Sequence, residues 1–154
     1  MLGVHFAITA DQEHALLVAD EEGDIDMMDE LLEEIEEFWD DDELQVATDK
    51  AWDPIHRCLT GGTLDPNAGE YPLSHAILGG RHLHDDIYLV YITADEVRDV
   101  AEALGEVDEA WLRERFDALA DEDDWDYTWT NFADVRAFYD RAAKSGRAVI
   151  FTAT

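Results

Sequence analysis

Three short segments of the chain have the apolar pattern of β-strands. Val4, Phe6 and Ile8 alternate with small or polar residues, which is the period-2 pattern of a half-buried strand. Residues 87–92 form a continuous apolar and aromatic run that is short enough to be a buried strand. Residues 148–152 form a similar run near the C-terminus. Because none of these segments can be buried singly, we expect all three to join one sheet.

The first half of the chain also predicts two helices. Thr9 and Gln12 form a capping-box signal, and the apolar residues after them predict a helix to about residue 20. Gly23 is expected to end this helix. The second helix has an apolar stripe opposite a face filled with acids. The residues of this stripe are Ile25, Met28, Leu31, Leu32, Ile35 and Phe38, with Trp39 beside them. Residues 40–43 are expected to form a solvated loop.

Three further helices are predicted in the second half of the chain. Thr93 and Glu96 form another capping box, followed by apolar residues at helical spacing. Asp108 is expected to cap the next helix. The last helix is expected to begin at Asn131 and to end at Gly146, before the terminal strand.

Strands and helices are mixed along the chain without strict βαβ alternation, internal repeats or a linker. A length of 154 residues with 47% apolar content suits one hydrophobic core. We therefore predict an α+β fold, a single compact domain over residues 1–154. Its mixed or antiparallel sheet would include the N-terminal, central and C-terminal strands and pack with about five to six helices.

Charge restricts the classes of partner. The chain has 39 Asp and Glu against 10 Lys and Arg, a formal net charge of -29. Nucleic acids and anionic membranes are therefore not expected as partners. No stretch approaches the ~18 apolar residues of a membrane span, so we expect a cytoplasmic protein. The acidity would suit either a salty cytoplasm or a basic partner protein.

The stretch TDKAWDPIHRCLTGG, residues 48–62, is the main candidate for a site. A helix here would place five side chains roughly on one face: Asp49, Trp52, Asp53, His56 and Thr60. Alternatively the stretch is structural, with Asp49 or Asp53 as a helix cap and His56 hydrogen-bonded, because Pro54 is best tolerated at the first helical position. Gly61 is expected to end the helix in either case.

The functional interpretation of this stretch requires a cleft. Asp49 or Asp53 beside His56 would form a general base with an orienting carboxylate. The hydroxyl of Thr60 or Ser74 would then contact a substrate group. The sequence contains no G-x-S-x-G nucleophile motif and no phosphate-binding glycine loop, so it leaves open whether the protein is an enzyme.

No metal or cofactor is expected. Cys58 is the only cysteine, so it cannot form an intramolecular disulfide or a thiolate metal site on its own. It is expected to be a small buried residue on a helix. His75, His82 and His84 precede two aspartates, but their spacing matches no metal-ligand set of a helix or strand.

Several segments resemble the YfbM-like family of bacterial proteins of unknown function. These segments are DKAWDPIHRCLTGG, YPLSHAILGG and TADEVRDVAEAL, which begin at residues 49, 71 and 93, followed by the final helix and strand. The resemblance covers nearly the whole chain. It implies a single-domain α+β fold and a bacterial cytoplasmic setting, but no reaction, cofactor or catalytic residue.

Two functions follow as hypotheses. The first is a soluble binding or protein-interaction module whose acidic surface meets a basic protein. The alternative is a small-molecule enzyme or ligand binder with a pocket around Asp49, Trp52, Asp53 and His56. We also expect Asp49, Trp52 and His56 to lie close together and near residues 74–79. The sequence indicates neither a ligand nor an oligomeric state.

Overall fold

The centre of the computed structural model, which describes residues 1–37, 43–120 and 123–154, is an antiparallel sheet. Its strands in chain order are β1 (Gly3–Ile8), β2 (Gln45–Asp49), β3 (Arg81–His82), β4 (Tyr88–Ile92) and β5 (Ala148–Ala153). Their order across the sheet is β2-β1-β5-β4-β3, so the C-terminal strand lies in the middle. It pairs with β1 on one side and β4 on the other. The prediction that these three strands share a sheet is confirmed.

The described residues also form six α-helices. They are α1 (Ala10–Glu22), α2 (Ile25–Glu36), α3 (Trp52–Thr60), α4 (Ala94–Gly105), α5 (Glu109–Leu119) and α6 (Trp125–Lys144). A 3-10 turn spans Leu73–His75. The predicted capping boxes at the starts of α1 and α4 are both formed, and the side chain of Asp108 caps α5. The α+β class is therefore confirmed.

Helices cover both faces of the sheet. Phe6 and Ile8 of β1 point into a core shared with α1 and α2, whereas Ala7 points into the larger core shared with α3, α4, α5 and α6. The same alternation holds in β5, where Ile150 faces the first core and Phe151 the second. The half-buried character predicted for β1 is wrong, because its period-2 pattern separates two cores rather than a core from solvent.

The predicted start of the last helix is also wrong. α6 begins at Trp125, and the side chain of Asp124 accepts the amide hydrogen of Tyr127 at 3.2 Å. Asn131 lies inside the helix, where its side-chain nitrogen donates to the carbonyl of Tyr127 at 2.8 Å. Both Asp and Asn side chains can accept the free amide hydrogens at the start of a helix. In this chain Asp124 does so, and α6 therefore begins six residues before Asn131.

α2 follows its predicted pattern with one exception. Met28, Leu32 and Ile35 are buried, but Ile25, the first residue of the helix, is exposed. The side chain of Asp24 caps the helix by accepting the amide hydrogen of Met27 at 3.0 Å. The predictions for Phe38, Trp39 and residues 40–42 lie outside the described residues.

Like charges lie one turn apart along the exposed face of α2. The pairs are Asp26 with Glu30, Asp29 with Glu33, Glu30 with Glu34, and Glu33 with Glu37. No Lys or Arg occurs between residues 11 and 43 to offset them locally. Burial raises the pKa of Glu36, and the charge of Glu33 adds to this shift. Self-repulsion therefore opposes the folding of this helix.

We expect sodium chloride to raise the melting temperature between low salt and about 1 M, where the Debye length falls to about 3 Å. Replacing Glu30, Glu33 and Glu34 with Gln should stabilise the protein at low salt and flatten this response. Each like-charge pair costs about 0.2–0.5 kcal/mol, so removing the four pairs should gain about 1 to 2 kcal/mol. Thermal melts at several salt concentrations measure both effects.

A matched control removes the same charge from acids that have basic partners. Asp95, Asp117 and Asp140 pair with Arg98, Arg113 and Lys144 one turn away. Changing these three aspartates to Asn should not stabilise the protein at low salt. Equal stabilisation by both triple variants would show that total charge matters and the spacing on α2 does not.

Candidate functional site

The stretch singled out by sequence forms the end of β2, a tight turn and α3. Asp49 has a left-handed backbone with φ 49°, and the amide of Ala51 donates to the carbonyl of Thr48 at 2.8 Å. The capping position of α3 is Ala51, which provides no side-chain hydrogen bond. The prediction that Asp49 or Asp53 caps this helix is therefore wrong. Pro54 is the third helical residue, where its missing N–H still costs no intrahelical bond.

The two aspartates have other partners. Asp49 accepts a hydrogen bond from the Tyr127 hydroxyl of α6 at 2.9 Å. Burial and this bond raise the pKa of Tyr127. Asp53 accepts from Nε of Arg57 at 2.7 Å, and another guanidinium nitrogen of Arg57 lies 3.6 Å from Asp123. Asp49 thus joins the end of β2 to α6, while Asp53 pairs with Arg57 one turn further along α3.

Trp52 is a core residue that anchors the N-terminus. Its indole nitrogen donates to the carbonyl of Met1 at 3.1 Å. Its ring lies 5.8 Å from the ring of Phe151 and 6.1 Å from that of Tyr88, centroid to centroid. A Cβ at Gly3 would come within 2.6 Å of the indole, so the small residue in β1 makes room for it. These contacts give Trp52 a structural role.

His56 is fully buried and only partly hydrogen-bonded. Its Nε2 donates to the carbonyl of Asp65 at 3.3 Å, while Nδ1 has no hydrogen-bond partner in the described residues. Burial lowers the pKa of His56, against the opposing effects of that bond and of the Asp53 and Asp65 charges. The hydroxyl of Thr60 donates to the carbonyl of His56 at 2.7 Å. A neutral imidazole is therefore held in the interior.

Ser74 lies in the 3-10 turn Leu73–His75, which leads into a tight turn closed at Gly79. Its hydroxyl lies 3.0 Å from Nδ1 of His75, and its carbonyl accepts the amide hydrogen of Gly79 at 2.9 Å. A Cβ on Gly79 would lie 2.1 Å from the same carbonyl oxygen, so the turn closes only around glycine. The 3-10 turn that contains Ser74 packs against both α3 and α4.

Sequence reasoning missed a buried histidine in β1. Nε2 of His5 donates to the carbonyl of Ala76 at 2.8 Å, and the hydroxyl of Tyr139 donates to the same oxygen at 2.7 Å. Burial lowers the pKa of His5 to about 4, although the bond to Ala76 acts in the opposite direction. A histidine inside an apolar strand was the available signal, because such a residue needs a specific partner. The His5 bond attaches residue 76 to β1, and the Tyr139 bond attaches it to α6.

Three other histidines are engaged separately. Nε2 of His75 lies 3.5 Å from Glu96, Nε2 of His82 donates to the carbonyl of Leu78 at 3.0 Å, and Nε2 of His84 lies 3.2 Å from Asp29. Within residues 1–37, 43–120 and 123–154, no group of three or more His, Cys, Asp or Glu is arranged to hold a metal ion. The same residues contain no helix long and apolar enough to cross a membrane.

Cys58 is buried on α3, as the sequence predicted. Burial raises the pKa of its thiol to about 11, because the nearby charges of Arg115 and Arg57 only partly offset the cost of a buried thiolate. A thiol in this environment is a poor nucleophile near neutral pH.

An open groove lies between residues 70–73, the C-terminal end of α4 and the start of α5. Its volume is about 370 Å³, and a second depression of about 280 Å³ beside it shares Tyr71, Pro72, Ala103 and Glu106. Apolar side chains in the walls include Leu73, Val107 and Trp111. The acids that line the two depressions, called here the groove acids, are Glu70, Asp99, Glu102, Glu106 and Asp108.

Tyr71 is the most exposed aromatic residue of the groove, at 49% exposure. Its hydroxyl donates to Asp99 on α4 at 2.6 Å, and this bond raises the pKa of Tyr71 to about 12. Its ring meets His75 edge-on at 4.9 Å, and the Tyr71–Pro72 peptide bond is cis. The exposed ring is therefore held on both sides. On the opposite wall, the Arg115 guanidinium lies 4.2 Å from the centre of the Trp111 ring.

Residues 1–152 match the model of a protein family described as a domain of unknown function, DUF1877. The chain belongs to this family. Among solved structures, it is similar to YfbM from Escherichia coli, a protein of unknown function. The two chains are 21% identical, the match covers 99% of each, and the TM-score is 0.66. The resemblance to YfbM-like proteins is confirmed, and at this identity the structural likeness shows the fold alone. None of the curated proteins matches the chain.

In this DUF1877 member, the resembling segments pack together. The first supplies α3, and the second supplies the 3-10 turn that contacts it. Trp52, however, faces Met1 and Phe151, and Asp49 faces α6. A shared catalytic or ligand site for the predicted residues stays a prediction. The second segment also contributes Tyr71 and Pro72 to the groove, which sequence reasoning did not identify.

Proposed function

We propose that this protein is a soluble, cytoplasmic bacterial binding module that recognises a basic partner protein through the groove beside Tyr71. The observation that supports this most is the combination of apolar and aromatic walls with the groove acids. A lysine or arginine of a partner could lay its aliphatic stem on Leu73, Val107 and Pro72. Its charged head would then reach the carboxylates.

Tyr71 would be the anchor of this interface. Its ring is half exposed, while the bond to Asp99 and the edge contact with His75 restrict its orientation. Binding to a pre-oriented aromatic ring costs less side-chain entropy than binding to a mobile one. The ring also offers an arginine or lysine a cation–π contact. Aromatic residues of this kind often dominate the energy of protein interfaces.

The charge of the whole chain supports the same partner class. A net charge of -29 attracts basic proteins at long range and repels acidic ones. Such a field raises association rates and disfavours partners of the wrong charge, whereas the groove would provide local specificity. The field and the groove therefore make different, separable contributions to binding.

The alternative function, a small-molecule enzyme or ligand binder around Asp49, Trp52, Asp53 and His56, has less support. Asp53 is paired with Arg57, Trp52 donates to the Met1 carbonyl, and His56 is fully buried. A general base needs access to the proton that it removes. The geometry of these side chains therefore favours the binding module over catalysis at this place.

A peptide-binding experiment tests the proposal. The probe is a short peptide of alternating arginine and leucine, and its partner control replaces arginine with glutamate. In about 0.15 M NaCl, calorimetry should detect binding of the basic peptide only. Tyr71→Ala, and separately Glu102→Gln with Glu106→Gln, should each weaken binding by about tenfold or more, as expected for central contacts of an interface.

The matched control is Glu30→Gln with Glu33→Gln on α2, which removes the same charge from another surface. This variant should change the affinity by less than about threefold, since it alters only the long-range field. Equal weakening by the two double variants would show non-specific charge attraction and contradict a site at the groove. Unchanged binding after Tyr71→Ala, or no binding of the basic peptide, would also contradict it.

A further inference from the structure

A separate pocket lies at the end of the sheet where β1 leads into α1. Its volume is about 220 Å³, and its walls are mainly apolar, formed by Phe6 and Ala7 of β1, Ile35 of α2 and Leu44 before β2. The guanidinium-bearing side chain of Arg147, just before β5, completes the wall. This combination differs from the groove, whose charged residues are acids.

Arg147 has no carboxylate partner in the described residues, although the chain has 39 acids. Its one hydrogen bond in those residues runs from Nη1 to the carbonyl of Ala7 at a long 3.4 Å. By contrast, Arg57, Arg81, Arg98 and Arg113 each pair with an aspartate. Arg115 and Arg136 also donate to a backbone carbonyl, but each guanidinium lies over a tryptophan ring as well. A half-buried guanidinium has five donors, and an apolar wall satisfies none of them. Among the described residues, the pocket therefore holds a cationic group with a single long hydrogen bond.

The lining also includes two polar residues, Thr9 and Gln12, which are hydrogen-bonded to each other. The amide of Thr9 donates to Oε1 of Gln12, and the Gln12 amide donates to the Thr9 hydroxyl. This capping box uses the acceptor oxygens of both side chains and adds no negative charge to the pocket. Among the described lining residues, Arg147 is thus the charged group, and a complementary ligand would be an anion.

The size and polarity of the pocket define the ligand class. A 150 Å³ apolar cavity in another protein holds benzene, so about 220 Å³ suffices for one ring or a short chain bearing a small head group. Pockets for drug-sized ligands are about 300–1,000 Å³, so larger ligands are disfavoured. We propose that this pocket binds a small monocarboxylate whose carboxylate pairs with Arg147. Its apolar body would contact Phe6, Ile35 and Leu44.

The net charge of the chain restricts which anions can bind in this pocket. A net charge of -29 repels any anion that approaches the protein. Binding therefore depends on the bidentate contact with the guanidinium together with burial of the apolar body. A small hydrophilic anion such as acetate should bind much more weakly than an acid with a ring or a longer chain.

The test uses hexanoate and benzoate as probes, with hexanol as the uncharged control. Calorimetry or amide chemical shifts should show that hexanoate binds about tenfold or more tightly than hexanol. Arg147→Gln should weaken both acids by about 10- to 100-fold, the usual effect of losing hydrogen bonds to a charged group. Arg113→Gln removes the same charge from an exposed arginine of α5 and should leave affinity unchanged.

A second variant keeps the test valid if Arg147→Gln unfolds the protein through loss of the Ala7 contact. Leu44→Phe leaves the charge intact and fills part of the pocket, so it should weaken benzoate and hexanoate alike. Failure of both acids to bind at millimolar concentration would overturn the proposal, as would hexanol binding equally well. Equal effects of the Arg147 and Arg113 variants would do the same. None of these outcomes bears on peptide binding at the groove.

Discussion

Removing residues 150–154 is expected to abolish the folded state. These residues include most of β5, which pairs with β1 and β4 in the middle of the sheet. Residues 150–153 are all buried, and Ile150 and Phe151 belong to different cores. The truncation would therefore open both cores and leave β1 and β4 without their shared partner. We expect insoluble or molten protein without a cooperative thermal transition in circular dichroism and calorimetry.

Removal of Thr154 alone is the control for this truncation. Thr154 is exposed, and its backbone exchanges hydrogen bonds with Leu2 at 2.7 and 3.2 Å. Its loss should remove only the two hydrogen bonds at this end of the β1–β5 pairing, so thermal unfolding should stay cooperative. If the longer truncation melted as cooperatively as the full chain, β5 could not be the strand on which the sheet depends.

Gly79→Ala is expected to destabilise the protein by about 3 kcal/mol, because overpacking against a fixed backbone typically costs about 1–3 kcal/mol or more. The added Cβ would lie 2.1 Å from the carbonyl oxygen of Ser74 and 2.7 Å from its carbon. Both atoms belong to the backbone, so no side-chain rotation relieves the collision. The turn would have to open, which would break the Gly79–Ser74 hydrogen bond at 2.9 Å. Urea unfolding measures the loss.

Gly105→Ala makes the same chemical change where space is available. Gly105 is the last residue of α4, and a Cβ there meets no atom within 4 Å. Alanine loses less backbone entropy in a helix than glycine, so this variant should be neutral or stabilising by up to about 1 kcal/mol. If the two variants had equal stability, the close contact at Gly79 could not control the turn.

The candidate site shows which structural features local sequence patterns can predict and which they cannot. The sequence correctly predicted a helix that ends at Gly61 and a buried Cys58, because both depend on neighbouring residues. It did not identify the partners of Asp49 and Trp52, since Tyr127 and Met1 are 78 and 51 positions away. Those partners decide whether a polar side chain is available to a ligand. The groove escaped prediction for the same reason, since its walls come from residues 70–73 and two later helices.

Two strands, β2 and β3, also depend on distant segments. β2 and β3 were not predicted, because β3 has only two residues and β2 has two buried side chains, Val46 and Thr48. They become strands by pairing with β1 and β4. Neither segment has the apolar alternation that would reveal a strand, so their hydrogen-bond partners determine their conformation.

Features that depend on a few neighbouring residues can be predicted from the sequence. The capping boxes of α1 and α4, the apolar alternation of β1 and the apolar runs of β4 and β5 belong to this class, because backbone hydrogen bonding and side-chain spacing are local. Tertiary packing accounts for three other features: the central position of β5, the burial of His5 against Ala76, and the lack of a carboxylate partner for Arg147 among the described residues. Each depends on which distant segments exclude water from a given side chain. That choice follows from the packing of the whole chain, and no local pattern encodes it.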